Sequence, residues 1–211
     1  MNDFIRARSD AQKTARMDEI KAAADALFCA QPYPTITLSA IAARLSWTRA
    51  NLYKYVTSKE EIYLELCADR MNAYFDALEA AFPAGCGYTR AVFCEVWAGI
   101  LAAHTDYLRY ADVLGSIIES NVSVERLAAF KRNYYARVGV VNARFGDLLG
   151  TSAEEANSLF LAVLYHAIGY SGICYRSPRI REALALAGIE PALVDFRAEL
   201  CRFIGILTAD R

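Results

Sequence analysis

The chain has 211 residues, 55% hydrophobic and 22% charged, which excludes a disordered segment and allows one sizeable core or a small domain joined to a larger one. Its net charge of −1 excludes a uniformly basic nucleic-acid binder, yet residues 1–60 carry nine Lys/Arg against six Asp/Glu and the remainder 14 against 18. A mildly basic front on an acidic body fits a small head that meets a polyanion.

Nearly every segment has helical periodicity, and strand-type alternation bounded by turn pairs does not occur, so the fold class is all-α. The first helix is expected over about Ser9 to Ala30, with Ile20, Ala23, Ala24, Leu27 and Phe28 on one face. The two prolines of "QPYPT" end it. Thr37 then caps a two-turn helix with Leu38, Ile41, Ala42 and Leu45 at i, i+3, i+4 and i+7. "SW" makes a turn, and Thr48 caps another short helix in which Trp47 and Leu52 are spaced as a hydrophobic staple. Ser58 to Glu61 is a capping box that opens a longer fourth helix.

"PAGCG" at residues 83–87 breaks the chain. Helices follow from about Thr89 to Ala103, Asp106 to Glu119 and Ser123 to Leu149, the last stopped by Gly150. In the last of these Leu127, Phe130, Tyr134, Val138, Val141, Phe145 and Leu148 form a stripe that has to be buried. Residues Ala156 to Tyr175 hold no charge and match a membrane span in length. Their His, Tyr, Ser, Asn and Gly content favours instead a helix buried against other protein. A shorter helix is expected near Arg179 to Ala187. A last one starts at Glu190-Pro191, with Leu193, Phe196, Leu200, Phe203 and Leu207 in heptad fashion.

The residues between Thr48 and Tyr55 are unusual for a short helix. Leu52 and Val56 must point inward, which turns Arg49, Ala50, Asn51, Tyr53, Lys54 and Tyr55 wholly or partly outward. Two short helices joined by a tight turn form the helix-turn-helix device, whose second helix enters the DNA major groove. Arg can grip guanine and Asn adenine in bidentate bonds, while Tyr, Lys and capping hydroxyls suit phosphates. Ala50 leaves room for close approach or meets a thymine methyl. The plain alternative is a solvated polar face on an ordinary helix.

"EIKAAADALF" followed by "TLSAIAARLSWTRANLYKYVTSKEEI" resembles the N-terminal head of the TetR family of transcriptional regulators. The resemblance covers roughly residues 15 to 65; beyond them only the all-helical architecture agrees. It implies an N-terminal helix-turn-helix DNA-binding domain over residues 1–62 and a helical effector-binding and dimerisation domain over 63–211. It implies backbone contacts by Thr37, Ser39, Tyr53, Tyr55 and Lys59, base approach by Arg49, Ala50 and Asn51, and Thr48 and Lys54 at the groove edge. Arg6, Arg8, Lys13 and Arg16 would form a basic arm or a frayed, solvated terminus. Two departures stand out. Pro32 replaces the family's usual Gly and should stiffen the exit of the first helix, and Ser46-Trp47 replace the turn Gly and a small aliphatic, which should displace the turn slightly.

So small a head needs two copies on a pseudo-palindrome, hence a homodimer on a double-stranded DNA operator. The dimer surface is expected from the uncharged helix, through small residues Ala162, Ala167, Gly169 and Gly172, and from the last helix. The resemblance also implies a ligand pocket among the central helices. Trp97, Tyr110, Tyr134 and His166 are the candidates, favouring a small apolar or aromatic effector. Each of these aromatic residue types also serves commonly as core.

Six scattered cysteines without a C-x-x-C pair, and only two histidines, give no metal-ligand spacing. No cofactor is expected, and no nucleophile–base pair or paired carboxylates point to an enzyme. The start "MNDFIRARSD" lacks the apolar core of a signal peptide, so the expected compartment is reducing cytoplasm without membrane attachment. Cys86 or Cys94 could alternatively sense redox state. The rival reading is an all-helical small-molecule-binding or protein-interaction module whose head does not read DNA specifically.

Overall fold

The computed structural model describes residues 2–174, 178–190 and 194–209, with side chains from Gln12 onward except at Pro178. Arg6 and Arg8 of the expected basic arm, and Tyr175 and Leu193, therefore lie outside the described side chains. Among the described residues there are helices and no strand, as an all-α chain requires.

Helix α1 (Asn2–Ala30) starts earlier than expected and ends where the prolines forbid continuation; Tyr33–Thr35 close into a 3-10 turn begun by Pro32. Thr37 caps α2 (Leu38–Arg44), its hydroxyl accepting from the Ala40 amide, and Thr48 caps α3 (Arg49–Leu52) in the same way from Asn51. Ser58 caps α4 (Lys59–Ala81) by accepting from the Glu61 amide at 3.2 Å. The reciprocal half of that capping box is shifted by one residue, because the Glu61 carboxylate takes the Thr57 amide at 2.9 Å.

Next come α5 (Arg90–Ala103), capped by Thr89, and α6 (Thr105–Val113). The single helix expected to Glu119 stops at Val113. Leu114–Ile118 widens into a π-turn, where Gly115 and Ser116 favour the α-helix less than the residues before them, and Glu119–Asn121 tightens into a 3-10 turn. Helix α7 (Val124–Leu149) buries Phe130, Val138, Val141 and Phe145 of the expected stripe. It ends at Gly150, which adopts φ 65° while the Thr151 amide reaches back to the Gly146 carbonyl at 3.0 Å.

Helix α8 (Ala153–Cys174) is the uncharged segment, and α9 (Pro178–Leu186) follows it. The last helix, α10 (Phe196–Leu207), begins six residues after the expected Glu190. Asp195 takes the cap, its carboxylate accepting from the Ala198 amide, while Pro191 lies outside the described residues. The expected heptad is corrected too. Phe196, Leu200, Ile204 and Thr208 are buried at four-residue spacing, while Phe203 and Leu207 stay half-buried.

Two compact units result: Met1–Asp69 with Val113–Ala128, and Arg70–Asp112 with Ala129–Arg211. The first takes in a segment that sequence reading assigned to the body. Its core gathers Ile20, Ala24, Phe28, Tyr33, Ile41, Leu52, Val56, Ile62 and Tyr63, with the rings of Phe28, Tyr33 and Tyr63 within 5.0–6.3 Å of one another. In the second, α10 packs chiefly on α5 and also on α8.

Candidate nucleic-acid interface

The turn between α2 and α3 sets the site. The Ser46 amide bonds to Ala43 O at 3.1 Å and the Trp47 amide to Ala42 O at 2.9 Å, the paired bonds of a Schellman stop. Ser46 must then adopt φ 57°, a left-handed backbone that suits glycine. The missing glycine is thus absorbed as strain at Ser46.

Leu52 and Val56 are buried at 0% and 3% exposure, and they anchor the short helix against Ile41 and Ala42 of the core. That orientation leaves Thr48, Arg49, Ala50, Tyr53 and Lys54 exposed, with Asn51 and Tyr55 half-buried. Thr37 and Ser39 of α2 are exposed as well. The regular helix spans only Arg49–Leu52; Tyr53 to Tyr55 form a turn.

Arg49 is pre-positioned by its own neighbour. Its Nη2 donates to the Tyr53 hydroxyl at 2.7 Å and its Nε at 3.2 Å, and the guanidinium carbon lies 5.2 Å from the Tyr53 ring centre. An Arg held this way keeps its planar fork oriented, its bonds to Tyr53 using Nε and Nη2 alone. Lys59 is used differently. Its ammonium donates to Ile36 O at 2.8 Å and Tyr33 O at 3.1 Å and sits 4.3 Å from the Tyr33 ring centre. It ties the 3-10 turn to the start of α4, so two of its three N–H bonds are already engaged.

Several pairings had no local signal in the sequence. Glu61, 7% exposed, pairs with Arg126 Nε at 3.3 Å, and Arg126 Nη1 reaches Glu65 at 3.3 Å; these partners are more than sixty residues apart along the chain. Tyr33 donates to Glu60 at 3.0 Å, and burial followed by the Glu60 charge pushes its phenol well above the usual range. Trp47 meets Tyr55 at 5.7 Å between ring centres and carries the Arg16 guanidinium over its face at 5.5 Å. These two ring contacts are additional to the Trp47–Leu52 spacing read from the sequence.

Of the effector candidates, Trp97 and Tyr134 share one aromatic cluster and His166 belongs to another. Trp97 is fully buried, and its indole N–H donates to the Tyr74 hydroxyl at 3.0 Å. Its ring packs on Phe93, Phe145 and Phe160, and Phe160 stacks on Phe75, which meets Tyr134 edge-on at 6.1 Å. Burial and the neighbouring Tyr165 and Tyr135 push the Tyr134 phenol up to about 12. Tyr110 is buried with 1% exposure. His166 belongs to a separate stack, 3.8 Å from Phe203 and 5.4 Å from Tyr170, and burial lowers its pKa.

On α8, Ala162, Gly169 and Gly172 are exposed beside Tyr165 and Ile173, whereas Ala167 is fully buried. Among the described residues α8 is the one helix long and apolar enough to cross a membrane; its other side, through Leu159, Phe160, Val163 and Leu164, is buried within the protein. Cys94 is buried, and burial pushes its thiol up, which makes it a poor thiolate.

Comparison with known proteins agrees with this geometry. Residues 20–66 match the family model described as bacterial regulatory proteins, tetR family, and residues 68–209 match that of the tetracyclin repressor-like C-terminal domain. A solved bacterial regulatory protein in the tetR family from Rhodococcus RHA1 superposes with a TM-score of 0.62 at 17% identity, covering 92% of this chain and 95% of its own. No curated protein matches the chain. The two family models together account for nearly the whole sequence, and the chain belongs to the TetR family of DNA-binding transcriptional regulators.

Proposed function

We propose that the protein is a ligand-responsive repressor that binds a palindromic operator as a homodimer. The observation that carries the DNA half is the Thr48–Tyr55 surface. Its apolar residues Leu52 and Val56 are buried and its cap amide is satisfied by Thr48, so the exposed Arg49, Ala50, Tyr53 and Lys54, and the half-buried Asn51, are not needed as apolar core. In this reading Arg49 and Asn51 take base edges, with Ala50 against them. Thr37, Ser39, Thr48, Tyr53, Lys54 and Tyr55 take phosphates, and Lys59 adds its remaining N–H.

The exposed side of α8, with Ala162, Tyr165, Gly169 and Gly172, is the surface we assign to the second copy, together with the half-buried Phe203 and Leu207 of α10. Two heads would then meet half-sites about one DNA turn apart, roughly 34–36 Å. An apolar or aromatic effector would bind among the aromatic residues of the second unit around Trp97, Tyr110 and Tyr134. Helix α4, with residues 59–69 in the first unit and 70–81 in the second, is the element through which it would act. Switching the dimer from mostly bound to mostly released requires a differential affinity of about 5.5 kcal/mol. The setting is the cytoplasm.

Selection from a random duplex library by the purified protein tests this reading. It predicts enrichment of a palindrome with two half-sites about ten base pairs apart, centre to centre. Enrichment of no sequence over the starting library would reject it.

A further inference from the structure

Arg16 lies on α1, thirty-one residues before Trp47, yet its guanidinium sits over the Trp47 ring 5.5 Å from the centre. Trp47 stands immediately before the cap of the recognition helix, and Tyr55, which closes that segment, lies 5.7 Å from the same ring. Arg16 is held from the other side as well. Its Nη1 donates to both oxygens of Glu19, at 2.8 and 3.0 Å, and both bonds leave from that one nitrogen. An open groove runs here, lined by Gln12, Lys13, Arg16, Glu19 and Tyr55. Lys13 and Arg16 outweigh Glu19 in charge, and the Tyr55 hydroxyl adds a donor.

A structural role explains this arrangement poorly. Arg16 and Glu19 remain about half exposed, so their ion pair has little effect on stability. A large flat ring at position 47 is also more than the turn needs, since the turn is closed by the backbone bonds of Ser46 and Trp47. The arrangement instead orients a guanidinium fork beside the recognition segment at low entropic expense.

We propose that Arg16, seated on Trp47, clamps a DNA backbone phosphate at the groove it shares with Lys13 and Tyr55, with Glu19 holding its Nη1 until DNA arrives. This rests on the reading of the head as a DNA binder and adds to it a phosphate site that depends on Trp47. Arg16 supplies the contact, and Trp47 is a positioning residue. The phosphate displaces the Glu19 carboxylate from Nη1 while the stacking on Trp47 persists, so the fork is delivered without a search through its rotamers.

The test uses the full-length protein with two probes, a duplex enriched by the protein from a random library and an unselected random duplex of equal length, across a potassium chloride series. Arg16→Met should weaken binding to both probes by the same factor, about three- to tenfold, and reduce the salt slope by about one. Trp47→Val should weaken both in the same sense, and adding it to Arg16→Met should cause little further loss, because the two residues act together. Trp47→Phe should restore binding, since it keeps an aromatic face. Glu19→Gln should tighten binding to both probes.

A wild-type salt slope that Arg16→Met leaves unchanged would overturn the inference and leave the regulator reading standing. Independent, additive losses from the two variants would overturn the role of Trp47. If the wild type bound neither probe, the DNA reading would fall and this inference with it.

Discussion

Arg49 in the first unit and Trp97 in the second each donate an N–H to a tyrosine hydroxyl, at 2.7 and 3.0 Å, but in opposite surroundings. Arg49 and Tyr53 are both exposed, and their bond can be exchanged for one to an outside partner. Trp97 and Tyr74 are both at 0% exposure, enclosed by Phe75, Phe93, Phe145 and Phe160, and burial pushes the Tyr74 phenol far up. The same bond is open to an outside partner in one place and serves packing in the other. What separates them is whether apolar residues behind the donor already supply the stability. Leu52 and Val56 do so for Arg49, whereas Trp97 is itself the core.

That contrast breaks most readily at Trp97. Trp97→Ala should lower stability by about 3–5 kcal/mol through the cavity it leaves, read as a shift in urea midpoint at fixed protein concentration. Trp97→Phe should lose distinctly less. A near-neutral Trp97→Ala would contradict its place in a packed core.

Lys59 is the next sharpest case, because it stands between the two roles. Lys59→Met removes two charge-assisted bonds to the carbonyls of Tyr33 and Ile36 and should lower stability by about 1.5–3 kcal/mol. If stability is unchanged while duplex affinity falls, its main work is at the phosphate.

Ser46→Gly should raise stability by roughly 0.5–1 kcal/mol: relief of the left-handed strain exceeds the extra entropy glycine brings to the unfolded chain. Ser46→Val at the same place should lower it.

The smallest effect expected is at His166. Burial, reinforced by Arg202 and opposed by Glu199, holds its pKa below the usual 6.5. The unfolded chain therefore takes up the proton first as the pH falls. Stability contributed by neutral His166 is full above about pH 6.5 and is lost below it until the folded-state value is passed. Urea midpoints at about pH 7.5 and 5.5 should differ less in His166→Phe than in the wild type. An equal pH dependence in both would place the titration elsewhere.

Much of the fold was legible because its signals are local. The caps at Thr37, Thr48, Ser58 and Thr89, the prolines after Ala30 and the glycine after Leu149 each act within a few residues. At α10 the acceptor of Asp195 sets the cap, and the buried stripe runs through Phe196, Leu200 and Ile204 at four-residue spacing, where the heptad had placed Phe203 and Leu207. The break at Leu114–Ile118 was hidden because the residues around Gly115 and Ser116 continue a helical pattern.

At the site, the outward set Thr48 to Tyr55 followed from helical periodicity and the two apolar anchors alone. The Arg126–Glu61 pair, the Lys59 tie and the Arg16–Trp47 stack did not, because their partners are brought together only by the tertiary fold. The effector candidates fared differently. Trp97 and Tyr134 join one aromatic cluster through Phe160 and Phe75, while His166 joins another with Phe203, a separation that residue type could not foretell.

The central claim is that an exposed face of the first unit reads DNA sequence. It is tested most directly by titrating the duplex enriched from a random library with the wild type and with an Arg49→Ala/Asn51→Ala variant, alongside an unselected duplex, over a salt series. A steep salt dependence is expected for both proteins. The variant should also lose about 2–6 kcal/mol of preference for the enriched duplex while its binding to unselected DNA changes little. A preference that survives removal of both side chains would contradict the central claim.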